Sequence, residues 1–168
     1  MSTINNLTDL YKESIKDLYS ANTQSKTATQ QLAKAAHDSE LVKALESGVK
    51  GIQKGIDAME EIAERHGFKP TGETCKGMEG LVKEAHAHAI NAEFGDKDAQ
   101  DAMIIAQYQR MVHYAIAGYG TCQAFAKRLG FDKDVKTLGT CLDNTYDGDR
   151  HMTDIAAGSH GINAMAAE

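Results

Sequence analysis

The stretch DAMIIAQYQRMVHYAIAGYGTCQAFAKRL, from Asp101 to Leu129, decides the fold. Apolar and small residues recur in it every three or four positions, which is the spacing of one face of an α-helix. They are Ile104, Tyr108, Met111, Ala115, Gly118, Cys122, Phe125 and Leu129. Gly130 follows directly, and glycine is the residue that most often ends a helix. The stretch therefore predicts a long amphipathic helix from about Asp98 to Leu129.

The same periodicity predicts three more long helices. Helix one is expected over about residues 8–36, helix two over about 38–65 with Asp38 or Ser39 as its cap, and helix four over about 132–156. The predicted inward residues are Leu7, Tyr11, Leu18, Asn22, Ser25 and Leu32 on helix one, Leu45, Val49, Ile52, Ile56, Met59 and Ala63 on helix two, and Val135, Leu138, Leu142, Thr145, Asp149 and Met152 on helix four. A shorter helix is predicted over residues 74–91.

The lengths of the connections indicate how these helices pack. Short turns join helix one to helix two and helix three to helix four, so each pair is expected to be antiparallel. The long connection between helices two and three contains the short helix. We therefore expect an all-α, ferritin-like four-helix bundle with an extra short helix in the crossover between long helices two and three. Residues 1–168 are expected to form a single domain, with 157–168 as a loose tail.

Composition excludes several function classes. The chain has 168 residues, a formal net charge of −6 and no basic stripe, so nucleic-acid binding is not expected. It has no apolar run of about 18 residues and no signal peptide at its start, which predicts a cytoplasmic protein without a membrane contact. The three cysteines are widely spaced and odd in number, so we expect buried, unpaired thiols.

The predicted inner face lacks the ligands of a di-iron centre. Such a bundle needs a Glu from each of two helices and a Glu-x-x-His motif from each of the others. No Glu-x-x-His motif falls on an inward face of this sequence. The inward polar positions near mid-bundle are Asn22, Gln53, Thr145 and Asp149, and only the last is a carboxylate. Neutral amides and hydroxyls are poor ligands for iron or manganese.

In four sequence segments the chain resembles the YciF-like family. Members of this family are ferritin-like bacterial proteins that are associated with stress and have no established activity. The four segments are DLYSANTQ at 17–24, CKGMEGLVKEA at 75–85, HYAIAGYGT at 113–121 and MTDIA at 152–156. The resemblance implies a homodimer and, in typical members, a di-metal site. This chain departs from the family's acids or histidines at Asn22, Lys50 or Gly51, Gln53, Ala115, Asn144 and Thr145, and keeps Asp149.

Three functions remain open on these grounds. The first, and the one favoured here, is a non-enzymatic structural or interaction module with a degenerate metal site and no cofactor. It is expected to have a polar cluster of Asn22, Gln53, Thr145 and Asp149, which Tyr19, Tyr114 or Tyr119 could join. The second is a metal-binding oxidoreductase or storage protein with a rearranged site that uses Asp149 with Gln53, His113 or Glu84. The third is a small-molecule binder whose pocket is the vacated centre around Asn22, Ala115 and Thr145.

Overall fold

A computed structural model describes residues 3–158 of the chain, and within that range all regular structure is helical. The helices are α1 (Leu7–Ala35), α2 (Ser39–Arg65), α3 (Lys76–Ala85), α4 (Lys97–Leu129) and α5 (Asp132–Ala157), and a π-helical turn (His86–Ile90) extends α3. These bounds confirm the prediction of four long helices with a short helix in the crossover. The predicted loose tail falls outside the described residues except for its first two positions.

The four long helices form two hairpins that pack against each other. α1 packs most extensively on α2, and α4 on α5. α1 also contacts α4, and α2 contacts α5, which closes the four-helix bundle. α3 lies against α1 and α4, on the outside of the bundle. Within the described residues, no helix is both long enough and apolar enough to cross a bilayer.

Local signals in the sequence set the helix ends. The side chain of Asp38 accepts hydrogen bonds from the backbone N–H groups of Glu40 and Leu41, so it is the N-cap of α2. Gly130 ends α4 at a φ of 74°, in the left-handed region that glycine adopts without strain. A buried carboxylate then fixes the α1–α2 turn against α4, because Asp101 accepts from the backbone N–H groups of His37 and Asp38 at 2.9 and 2.8 Å.

The apolar core is divided into two clusters, one toward each end of the bundle. One contains the large buried side chains Leu32, Leu41, Leu45, Ile104, Met111 and Met152, and the other Tyr11, Ile15, Leu18, Met59, Ile62 and Leu138. On α5 the two clusters are far apart, because no residue between 139 and 151 is buried. The middle of the bundle is therefore less tightly filled than its ends.

A candidate ligand site at the bundle centre

A cavity of about 480 Å³ occupies the gap between the two core clusters. Most of its buried lining comes from α1 and α4, including Asn22, Ser25, Thr29, Tyr108, Met111 and Tyr119. Its exposed lining comes only from α2 and α5, including Lys50, Gly51, Lys54, Asn144, Asp147 and His151. The cavity therefore has a buried floor formed mainly by one helix of each hairpin, and it opens to solvent between α2 and α5.

Three glycines of α2 make room for this cavity. Gly48, Gly51 and Gly55 are spaced three and four residues apart, so they share one face of the helix. A Cβ atom at Gly48 would lie 2.5 Å from the hydroxyl of Tyr108, and one at Gly55 would collide with the hydroxyl of Tyr119. A Cβ atom at Gly51 would meet nothing within 4 Å. Gly48 and Gly55 therefore leave room for the two tyrosine hydroxyls, whereas Gly51, which lies between them, faces open space.

Other glycines of the bundle have different surroundings. Gly118 allows close packing inside the bundle, because a Cβ atom there would collide with the side chain of Leu18. Gly51 and Gly148 have no atom within 4 Å of an added Cβ. Both line the cavity instead.

The floor of the cavity presents hydroxyl donors. The side-chain amide of Asn22 donates to the Tyr119 hydroxyl oxygen at 2.8 Å. Within residues 3–158, nothing accepts the proton of that hydroxyl. The hydroxyl of Tyr108 has no hydrogen-bond partner at all within the same range, although the residue is only 5% exposed. Among the described residues every fully buried side-chain nitrogen or oxygen has a partner, so the unpaired Tyr108 hydroxyl is open to the cavity, where it offers a free donor.

The polar cluster predicted at the centre does not form. Gln53 points away from the cavity, where it accepts from Lys26 at 2.5 Å and donates to Asp57 at 2.6 Å. Thr145 donates to the carbonyl oxygen of Cys141, one turn earlier on its own helix, at 2.7 Å. The glycines occupy the inward face of α2, so Gln53 is left on its flank. Thr145 bonds within its own helix, and Gln53 bonds within α2 and to the adjacent α1, so neither contacts Asn22 or Asp149.

The other predicted members also have different partners. Asp149 accepts from Gln109 at 3.1 Å and from His113 at 3.2 Å, near the bundle surface. Of the three tyrosines considered for the cluster, Tyr119 does bond Asn22. Tyr114 instead donates to Asp17 and accepts from the Cys75 thiol, and Tyr19 donates to Glu60.

The side chains at the centre do not fit a di-metal site. Of the positions where the family resemblance implies ligands, Asn22, Gly51, Ala115, Asn144 and Thr145 line the cavity and carry no charge. Lys50 also lines it but is a cation, and Gln53 is not part of the lining. The one carboxylate in the lining is Asp147, which is exposed and paired with Arg150. Across the described residues, no three His, Cys, Asp or Glu side chains come together in a way that could hold a metal ion.

The rearranged metal site is brought together only in part. Asp149 and His113 lie 3.2 Å apart, but Gln53 bonds Lys26 and Asp57, and Glu84 pairs with His88 on the crossover at 3.3 Å. Two side chains are too few to hold iron or manganese firmly. The geometry therefore gives this alternative little support.

The three cysteines are unpaired, and Cys75 and Cys122 are buried as predicted, but Cys141 is only partly buried. Burial raises the pKa of Cys122 to about 12 and that of Cys141 to about 11. It also raises the pKa of Cys75, whose thiol donates to Tyr114 at 2.9 Å. Because the thiolate is the nucleophile and the metal ligand, protonated thiols have little reactivity, and these residues serve packing.

The buried tyrosines predict an alkaline limit to stability. Burial, followed by the charge of Asp149, raises the pKa of Tyr108 to about 12, and burial is also the largest cause of the raised pKa of Tyr11, Tyr114 and Tyr119. A group with a raised folded-state pKa stabilises the fold below its unfolded pKa of about 10, and this contribution falls as pH rises above that value.

We expect helix content and tyrosinate absorbance to change together in an alkaline titration, well above pH 10. Circular dichroism at 222 nm and absorbance at 295 nm, followed on one sample, check this. Full tyrosinate absorbance near pH 10 with intact helix signal would contradict it.

The chain is similar to one protein family and to proteins of known structure. The model of a family described as a domain of unknown function, DUF892, matches residues 6–167. The chain is 31% identical over 149 residues to the protein YciF of Escherichia coli strain K12, covering 88% of this chain and 89% of that protein. The crystal structure of that E. coli stress protein matches with a TM-score of 0.87 at 30% identity, covering 92% of this chain and 96% of the other. YcfI of Rhodopseudomonas palustris matches with a TM-score of 0.84 at 33% identity, covering 89% and 94%.

Proposed function

We propose that this chain, which belongs to the DUF892 family, is a non-enzymatic, stress-associated bundle protein that holds no di-metal centre and acts as a structural or interaction module. The observation that carries the proposal is the donor set of the central cavity. Each long helix contributes a neutral residue where a metal ligand would be needed, namely Asn22, Gly51, Ala115 and Thr145. Stress association rests on the likeness to E. coli YciF, which is described as a stress protein.

The loss of the acids has a physical consequence for how the bundle folds. Several carboxylates in one site repel each other unless a cation is bound. Neutral side chains remove that repulsion, so the bundle is stable without metal. A bundle that folds without an ion is suited to a structural role or to binding a partner through its surface. The proposal includes a cytoplasmic homodimer, with no contact to nucleic acid or membrane; the net charge of −6 argues against phosphate binding.

Metal analysis tests the proposal. The protein is purified without chelators, dialysed and measured by elemental mass spectrometry. It is expected to contain only substoichiometric iron, manganese and zinc. Retention of one or more ions per chain would refute the metal-free proposal and favour the oxidoreductase or storage alternative. Light scattering on the same sample measures the mass, which we expect to be that of a dimer. A monomer would remove the homodimer from the proposal and leave the metal result intact.

A further inference from the structure

We infer that the central cavity binds an elongated organic carboxylate with an apolar body, the chemical class of a medium-chain fatty acid. This inference rests on the proposed function, because a di-metal centre would occupy the same space. Four features of the cavity support it: its size and shape, the unpaired hydroxyl of Tyr108, the apolar floor, and the charges at its mouth.

The cavity has the size and shape of a small-molecule site. Its volume of about 480 Å³ lies within the range of roughly 300–1,000 Å³ that is typical of ligand pockets. Along α2 its lining runs from Ala44 to Gly55, which at 1.5 Å per helical residue is a length of about 16 Å. The occupant that fills this space is therefore long and narrow.

The Tyr108 hydroxyl supplies the polar recognition. It lies beneath Gly48, is nine-tenths buried, and has no partner among residues 3–158. A raised pKa keeps it protonated at neutral pH, so it is a hydrogen-bond donor. No fully buried side-chain nitrogen or oxygen of the described residues is unpaired, so this hydroxyl faces the open cavity, and a ligand with an acceptor oxygen pairs it there.

On the α4 side the floor between Tyr108 and Tyr119 is apolar, whereas its α1 side carries Asn22, Ser25 and Thr29. Met111 and Val112 are 2% and 8% exposed, and with Ala115 and Ile52 they line the cavity between the two tyrosines. An alkyl chain that packs along these side chains is removed from water, and each buried methylene strengthens binding about fourfold. The site is therefore expected to prefer longer chains until the cavity is full.

The mouth of the cavity favours an anion. Lys50 and Lys54 lie there, and neither has an ion-pair partner in the described part of the chain. The acidic residue at the mouth, Asp147, is already paired with Arg150. The two unpaired ammonium groups therefore set the sign of the local charge, which selects a carboxylate over an amine or a neutral ester of the same chain.

Two pairs of variants test the site, with decanoate as the probe. Gly51→Leu fills the cavity, and because leucine is a better helix former than glycine it does not weaken α2. Gly80→Leu is its matched control, since Gly80 is also helical, exposed and without an atom within 4 Å of an added Cβ, but lies on α3 away from the cavity. Tyr108→Phe removes the hydroxyl and keeps the ring, and Tyr146→Phe is its control on the exposed face of α5.

Isothermal titration calorimetry is expected to show one decanoate per chain. Gly51→Leu should weaken binding at least tenfold and Tyr108→Phe about tenfold, roughly the value of one hydrogen bond. Gly80→Leu and Tyr146→Phe should bind like the unchanged protein. Methyl decanoate and decylamine should bind more weakly than decanoate.

Three binding results would each overturn the inference, and a fourth result concerns the oligomeric state. The binding results are no decanoate binding by metal-free protein, equal affinity of Gly51→Leu and Gly80→Leu, and equal affinity for decanoate and its methyl ester. A change in mass on Gly51→Leu without decanoate binding by the unchanged protein would make the cavity an interface between copies and would also overturn it. Metal content is measured on the same preparation, so bound metal refutes the proposed function, whereas absent binding in metal-free protein refutes only this inference.

Discussion

Replacing Asp134 by alanine is expected to lower the free energy of unfolding by about 3 kcal/mol, because it removes the shared acceptor of three side chains. Asp134 is completely buried in the first turn of α5. One carboxylate oxygen accepts from the Tyr11 hydroxyl at 2.8 Å and bonds His66 Nε2 at 2.6 Å, and the other accepts from Arg65. The single carboxylate therefore joins α1, the end of α2 and α5.

The size of the loss follows from what the variant leaves behind. The Tyr11 hydroxyl is fully buried and would have no acceptor, whereas the Arg65 side chain is 33% exposed and recovers part of its hydration. Removing one partner of a fully buried ion pair costs about 3–5 kcal/mol, so partial exposure of Arg65 puts the expected value at the lower end. The rings of Tyr11, His66 and Phe131 pack together around the carboxylate and would keep the local packing in place.

Urea unfolding followed by circular dichroism measures this loss. Asp132→Ala is the matched control, because Asp132 lies in the same first turn of α5 but is exposed. Its loss should be well under 1 kcal/mol, the value of a charge near a helix N-terminus. Equal losses for the two variants would mean that the buried interactions of Asp134 contribute nothing beyond the helix dipole.

Features with local causes could be predicted from sequence. The ends of α2 and α4 depend on Asp38 and Gly130, whose effects act within one helical turn. The buried faces of α1 and α4 depend on periodicity over many residues, and most predicted inward positions on them are buried. These features survive any rearrangement of the neighbouring helices, which is why the fold was predictable.

Features that depend on contacts between residues distant in sequence could not be predicted. Asp134 is a buried anchor only because Tyr11 and Arg65 reach it from more than 60 residues away in sequence. Leu142, Thr145 and Asp149 were predicted to face inward, but all three are only partly buried. Thr145 borders the cavity, and Asp149 bonds Gln109 and His113 on α4. Gly51 and Gly55 were visible as a small-residue pattern. Close packing and a cavity both produce that pattern, and only the position of the opposite helix distinguishes them.

Putting carboxylates back at the centre is expected to make the bundle dependent on metal. In the quadruple variant Asn22→Glu, Gly51→Glu, Ala115→Glu and Thr145→Glu, each long helix contributes one acid to a single cavity of about 480 Å³. Without a cation the four charges repel and lose solvation, so the apo form should lose about 3 kcal/mol or more of its stability. Hard oxygen ligands suit manganese, and an ion present at 1,000 times its dissociation constant restores about 4 kcal/mol.

The control variant carries the same added charge at exposed helical positions, Thr23→Glu, Gly80→Glu, Ala124→Glu and Thr140→Glu. Thermal unfolding with and without manganese distinguishes a site from a charge effect. Manganese should raise the melting temperature of the cavity variant by about 8–16 °C, because about 4 kcal/mol is restored and each kcal/mol is worth about 2–4 °C for a chain of this size. It should leave the control unchanged. Equal responses would mean that the four positions do not converge as the cavity implies. If the cavity variant is stable without metal, four carboxylates at the centre do not destabilise the bundle. The neutral lining of the present chain would then not be the reason that it folds without metal.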